Sequence, residues 1–268
     1  MKFSLVVATL GRKSELLDML QSVRDLNYSK NDIEVIIVDQ NPPDFLGNIS
    51  IEFNDLNIIH INSDRKGLSL NRNIGINVAS GQVICFPDDD CKFYSDTLTQ
   101  VEFFISSGYD LCMGRIYDRN KNKPILKKWP NRAFHINRFN FYFFNSSITV
   151  FVRKDKLVAF DEKMGVGAQY GSCEDADFIY RILLNDIKSI YTPKVELWHP
   201  DILLSEIPLT KVYNYAAGFG YLVKKNGGVA LYSLFFLLML KKIIQLLTFK
   251  CNFSYFRIYF LGLLAPFR

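Results

Sequence analysis

The stretch Val83-Ile84-Cys85-Phe86-Pro87-Asp88-Asp89-Asp90-Cys91 sets four apolar residues directly against a proline and three carboxylates. An apolar run of that length reads as a buried strand, and Pro87 ends its ladder because it has no N–H to donate. The acids therefore sit at the C-terminal tip of a strand. Three ionised side chains so close together repel one another, and a bound hard cation such as Mg²⁺ or Mn²⁺ is the cheapest remedy. Alternation along an extended chain sends Asp88 and Asp90 to one side and Asp89 to the other, so Asp88 and Asp90 are the expected metal-facing pair. For these residues taken alone, an acidic solvated turn is the competing reading.

Upstream of this stretch, strand-like runs at Phe3–Ala8, Glu34–Val38 and Asn57–Ile61 alternate with helix-like patterns, notably Leu16, Leu17, Leu20 and Val23 behind a cap expected at Ser14. Alternating β and α units imply a mostly parallel sheet flanked by helices, whose ligands bind beyond the C-terminal strand ends. Polar groups follow each strand there: Thr9 and Arg12, then Asp39, then Asp64 to Gly67, then the acid triplet. From Ser69 a helix is expected, capped by Ser69 and closed by Gly81, with Arg72 and Asn73 in its first turn. An Arg in a first turn opposes the helix dipole and makes better sense facing an anion or the acids, with a merely exposed Arg as the competing reading. His60 reads as a strand residue with a satisfied ring.

Downstream, residues 117–145 lose apolar periodicity and read as a loop or short hairpin over the site. Strand character returns at Ser147–Arg153. Gly165 to Ser172 is glycine-rich, expected as a mobile loop over a substrate, and it leads into Glu174-Asp175-Ala176-Asp177 at the start of a helix. A short strand is expected at Val195–Trp198. His199, held by Pro200 at its end, is a candidate third metal ligand.

The 268 residues suffice for one large α/β domain with an appendage. The overall charge of +5 is uneven: residues 206–268 carry +7 and the rest −2. These cations are mixed into the most apolar part of the chain, which points to an anionic membrane surface and not to nucleic acid. Five cysteines without zinc or redox spacing suit a reducing compartment, and the N-terminus reads as a first strand and not a signal peptide, so a cytoplasmic domain is expected.

Together these residues resemble the family 2 glycosyltransferases of the GT-A fold over roughly Met1 to Pro200. Phe86-Pro87-Asp88-Asp89-Asp90-Cys91 resembles the family's Asp-x-Asp metal motif. Gly67-Leu68-Ser69-Leu70-Asn71-Arg72-Asn73-Ile74-Gly75 resembles its Gly-x-Ser-x-x-Arg-Asn-x-Gly segment, and Glu174-Asp175 its acidic pair. The resemblance implies an inverting transfer from a nucleotide-diphosphate sugar to a hydroxyl of a lipid-linked or growing glycan, with Mn²⁺ or Mg²⁺ on the diphosphate. It implies Asp175 as catalytic base and donor contacts at Thr9, Arg12, Asp39, Gly67, Arg72, Asp88 and Asp89. The implied metal ligands are Asp88, Asp90 and His199. The family commonly follows the nucleoside-binding Asp with Asp, Gly and Ser, whereas this chain reads Asp39-Gln40-Asn41-Pro42, so UDP is a lean among bases. A nucleotidyltransferase would need a glycine- and lysine-rich first loop, of which Thr9 to Lys13 is a poor version. A lapsed binding module is disfavoured by the intact Asp88, Asp90 and Asp175.

Beyond Pro208, Val229 to Leu240 is an apolar run of about 12 residues, short of the roughly 20 needed to cross a bilayer. Extending it to Phe249 places Lys241 and Lys242 inside the span, so helices lying in the interface are expected. A buried hairpin or a homodimer interface is the alternative. The expected domains are thus residues 1–205, catalytic, and 206–268, a helical membrane-associating region.

Overall fold

The computed structural model describes residues 1–201 and 208–268. Strands and helices alternate first: β1 (Phe3–Thr9), α1 (Lys13–Arg24), β2 (Ile33–Asp39), α2 (Ile49–Glu52), β3 (Asn57–Asn62), α3 (Leu68–Val78) and β4 (Val83–Cys85). Then come β5 (Lys92–Phe93), α4 (Thr97–Ser106), β6 (Leu111–Asp118), β7 (Lys123–Pro124), β8 (Phe134–His135), α5 (Phe141–Phe144), β9 (Val150–Arg153), α6 (Glu174–Ile182) and β10 (Ser189–Trp198). The chain closes with α7 (Leu209–Asn226), α8 (Val229–Leu247) and α9 (Phe253–Leu264). The main sheet runs β3-β2-β1-β4-β9-β6-β10-β5. Only β9 and β5 run against the others, so the sheet is mostly parallel, as its alternating elements require. β1, β2 and β4 are wholly or almost wholly buried, which is why they read as apolar runs and not as alternations.

Several local expectations are corrected by non-local contacts. α1 begins at Lys13, and Ser14 donates to Glu15 at 2.8 Å instead of capping the helix. α3 begins one residue before Ser69, with Gly67 at its N-cap in a positive-φ conformation, and it ends before Ala79. The Ser69 hydroxyl donates instead to the Met164 carbonyl at 2.6 Å, and Arg72 falls in the second turn. Gly81 is not a helix cap: a Cβ there would meet Ser4 Oγ at 2.5 Å, so its role is close approach to β1. β10 starts at Ser189, because its register shifts between Tyr191 and Glu196 and breaks the alternation around Pro193.

Glu34 ties the N-terminal ends of these strands together. It is 2% exposed and accepts from Ser4 Oγ, from Ser80 Oγ (2.6 Å) and from the amides of Ser80 (2.5 Å) and Gly81 (3.1 Å). Burial pushes its carboxyl up, but these donors outweigh that and hold it down to about 2, against an ordinary 4.5. Its contribution to stability is therefore present above pH 4.5 and lost as pH falls toward 2. Glu34→Gln is expected to cost on the order of 2–3 kcal/mol at pH 7. In urea unfolding, the gap between wild type and variant should narrow below pH 4.5; a gap independent of pH would contradict this account.

The boundary expected between residues 205 and 206 lies outside the described residues. α7 packs on the sheet domain and on α9 through glycines. A Cβ at Gly218 would meet Ser172 Oγ at 2.3 Å, and one at Gly220 would meet the Leu263 carbonyl at 2.2 Å. α8 has 19 residues and by length and composition is apolar enough to cross a membrane. It is seven residues longer than the 12-residue apolar run, because its helix continues through Lys241 and Lys242. Much of it faces outward, with Phe236 63%, Leu240 55% and Leu247 71% exposed. Lys242 is drawn to α9, its Nζ lying 4.6 Å and 4.9 Å from the ring centroids of Tyr255 and Tyr259.

Candidate active site

The C-terminal ends of β1, β2 and β4 open onto a cleft of about 370 Å³, lined among others by Arg12, Gln40, Lys66, Gly67, the three acids and His199. A larger hollow of about 650 Å³ lies at the opposite strand ends, beside Met1, Gly81, Val83 and Arg153. None of the expected site residues lines it.

Asp88, Asp90 and His199 converge: one ligand atom from each lies within 4.8 Å of the others. His199 Nε2 is 3.3 Å from Asp90 Oδ1, and its Nδ1 is 2.7 Å from the Pro200 carbonyl, which fixes the ring. Asp89 turns the other way. Its Oδ2 accepts from Thr9 Oγ1 at 2.8 Å and its Oδ1 from Arg12 at 3.2 Å, while Arg12 also reaches Asp90. Burial pushes both Asp88 and Asp89 above the usual carboxylate range, and the neighbouring acids add to it against Arg72 and Arg12 respectively. Asp90 Oδ1 is buried without a hydrogen-bond partner. Two carboxylates and an imidazole with one orphaned oxygen fit a divalent cation.

Arg72 is the organising cation. It is 1% exposed, donates to Asp88 at 3.0 Å and to Ser147 at 3.2 Å, and lies 3.7 Å from Glu174. Its guanidinium packs 5.4 Å from the Phe160 ring centroid. Phe160 stacks on Phe178 of α6 at 4.4 Å, and both meet Phe86 edge-on. Each such pair contributes about 0.5–1.5 kcal/mol beyond burial, and together they lock the end of β4 to α6. Asp175 does not line the cleft, but its charge reaches both Asp88 and Glu174. Its Oδ1 accepts the Ala176 amide at 2.7 Å. Burial, with Asp175 beside it, pushes Glu174 up.

α6 is held from behind by α7. Asp177, fully buried, accepts from Arg181 (2.7 Å), Lys225 (2.9 Å) and Asn226 (2.8 Å), and Lys225 also pairs with Asp161 at 2.7 Å. The glycine-rich loop is docked as well. It is closed by Gly165 N to Tyr170 O at 2.8 Å, and Tyr170 stacks on Tyr221 at 4.0 Å. Gly167, at φ +83°, sits where a Cβ would come 3.3 Å from Gly67 Cα. Gly165 and Gly167 serve positive φ and close approach in this docked arrangement.

Asp39 is 2% exposed and outside the cleft lining; Asn41 and His60 (3.1 Å) take its oxygens. Sequence reasoning passed over Gln40 and Lys66. Gln40 Oε1 accepts the Gly67 amide at 3.0 Å, and the Gln40 carbonyl accepts from Lys66 Nζ. The available signal was their position directly after β2 and β3, on the rim already singled out. All five cysteines are free.

The family model "Glycosyl transferase family 2" matches residues 4–157, and the chain belongs to that family. It is 28% identical over 144 residues to glycosyltransferase GlyA of Streptococcus pneumoniae serotype 4, covering 53% of this chain and 20% of that one. It is 26% identical over 108 residues to the poly(ribitol-phosphate) beta-N-acetylglucosaminyltransferase TarS of Staphylococcus aureus, covering 39% of this chain and 19% of that one. The matches thus span about a fifth of these relatives' length. Among solved structures, S. aureus TarS 1–349 in complex with UDP-GlcNAc superposes with a TM-score of 0.63 at 20% identity, over 87% of this chain and 69% of that one. The mannosyltransferase of Pyrobaculum calidifontis in complex with GDP-Man and Mn²⁺ gives 0.66 at 12% identity, over 100% and 88%. The fold is that of the GT-A glycosyltransferases.

Proposed function

We propose that the chain is an inverting, metal-dependent glycosyltransferase that uses a nucleotide-diphosphate sugar, UDP favoured, and acts on a hydroxyl of a lipid-linked or growing glycan in cell-surface polysaccharide synthesis. The observation that carries this reading is the convergence of Asp88, Asp90 and His199 at the strand ends, with Asp175 within electrostatic reach of Asp88. Structural neighbours solved in complex with UDP-GlcNAc and with GDP-Man and Mn²⁺ support a nucleotide-sugar donor.

Asp88, Asp90 and His199 would hold the cation, and the imidazole favours Mn²⁺ over Mg²⁺. Bound there, the ion would offset charge developing on the departing diphosphate. Asp89 keeps Thr9 and Arg12 on the donor side, and Gln40, Lys66 and Gly67 shape the nucleoside wall. Arg72 fixes Asp88 and Glu174, leaving Asp175 to take the acceptor's proton. The acceptor oxygen forms its bond to the anomeric carbon as the bond to the diphosphate breaks on the opposite face, which inverts the configuration. NMR of the sugar released by slow donor hydrolysis with Mn²⁺ tests the scheme: a β-product from an α-linked donor is expected, and a retained α-anomer would overturn inversion.

Residues 208–268, which hold no acid, are proposed to dock peripherally on the inner face of the cell membrane, with the catalytic domain in the cytoplasm. A homodimer through α8 is the competing use of that apolar surface. Flotation with liposomes should strengthen with anionic lipid and weaken with salt. Because α7 clamps α6, the test uses the full chain: neutral substitution of Lys241 and Lys250 should weaken flotation without lowering donor affinity. Equal flotation on purely zwitterionic lipid would contradict peripheral electrostatic docking, and resistance to carbonate extraction would mean that α8 spans the bilayer.

A further inference from the structure

One cation beside the catalytic helix has no role in this scheme. Lys127, half-buried in the segment between β6 and β9, donates from Nζ to the Asn145 carbonyl at 2.7 Å and lies 4.3 Å from the Trp129 ring centroid. An ammonium carries three N–H donors. Among the described residues no carboxylate pairs with this one within 4.0 Å, although Arg12, Arg72 and Lys225 are all paired. A partly desolvated ammonium that has one carbonyl and one indole face as its partners keeps N–H donors and a charge that a bound anion would satisfy.

Its place in the fold says which anion. Asn145 lies two residues before Ser147, whose hydroxyl accepts from Arg72, and Arg72 holds Asp88 and Glu174. Lys127 therefore stands at the same cluster as the proposed base, yet it is outside the lining of the nucleotide cleft. The segment after it continues into α5, where Phe141 packs 5.5 Å from Tyr180 of α6 and Tyr142 packs 5.1 Å from Phe219 of α7. The segment that carries Lys127 and Asn145 is thus anchored to α6 and α7 through α5.

We infer that Lys127 is a binding residue for a phosphoryl group of the substrates, on the acceptor side of Asp175. This deepens the transferase reading and rests on it: the acceptor would carry a phosphate or diphosphate close to the hydroxyl that reacts, as a lipid-linked glycan does. Burial pushes Lys127 down to about 8 while Asp175 draws it back up, which is consistent with a site completed by an added negative charge.

The test titrates the full chain by calorimetry, first with UDP and Mg²⁺ and then, at saturating UDP, with inorganic phosphate. Wild type is expected to take up both. Lys127→Met is expected to lose phosphate affinity at least tenfold with UDP affinity within twofold, and Lys127→Arg to keep both; unchanged melting curves show that the variants are folded. If Lys127→Met instead weakens UDP tenfold and the UDP-saturated wild type takes up no phosphate, the phosphoryl group held is the donor's own. If neither affinity depends on Lys127, the inference is overturned. Failure of wild type to bind UDP at all would strike at the donor reading instead, and phosphate titrated into the free protein then decides the role of Lys127.

Discussion

Asp90→Ala is expected to abolish metal-dependent donor binding and to lower transfer by at least ~10²-fold, since removal of even an outer-shell partner of a metal typically costs 10–100-fold. Asp90 brings the orphaned oxygen to the cluster and is also the acid that His199 approaches at 3.3 Å. Without it Asp88 and His199 remain as two ligands, and Arg12 is left with Asp89 alone. Asp88→Ala should behave similarly. Asp89→Ala should do less, because it turns to Thr9 and Arg12 and its loss loosens the donor wall without removing a ligand. Nucleotide affinity measured with Mn²⁺ and with EDTA separates these cases. Equal metal dependence in wild type and Asp90→Ala would remove the acid from the metal site.

Asp175→Asn is expected to keep donor binding and to lose about 10²–10⁴-fold in turnover, because the amide preserves shape but cannot take the acceptor's proton. Glu174 is the obvious competitor, because burial pushes its carboxyl up toward the range that suits a general base, but it is held 3.7 Å from the buried Arg72, which engages it as an orienting partner. Donor affinity and single-turnover rate measured on one preparation decide between them. Turnover within tenfold of wild type would reassign the base, with Glu174 examined first.

The strands were legible because β1, β2 and β4 are buried apolar runs ending in polar residues, and a proline fixes where the last of them stops. The acid triplet was legible for the same reason: a strand's alternation decides which carboxylates share a side, and Asp88 and Asp90 do meet while Asp89 faces Thr9. What local pattern does not encode is where a polar side chain finds its partner. Ser14 and Ser69 have the chemistry of helix caps, but the Ser69 hydroxyl is taken by a carbonyl 95 positions away. The glycines after Met164 read as a glycine-rich loop over a substrate, and only the folded contacts, Gly165 against Ser69 and Glu174 and Gly167 against Gly67, show what these two pack against. Arg72 does meet anions, Asp88 and Glu174, but it sits in the second turn of α3, so burial beside those acids and not the helix dipole explains the pairing. Lys127 falls in the segment expected over the site, but its lack of a carboxylate partner among the described residues is a property of the folded segment and leaves no mark in the sequence.

The central claim is a metal-dependent nucleotide-sugar site, and thermal melting of the full chain with UDP-, dTDP- and GDP-sugars tests it most directly. With Mn²⁺ present, a UDP-sugar is expected to raise the melting temperature more than the others do, and EDTA or Asp90→Ala should erase the shift. A chain that melts at the same temperature with and without every nucleotide sugar, or whose stabilisation survives EDTA, would contradict the account.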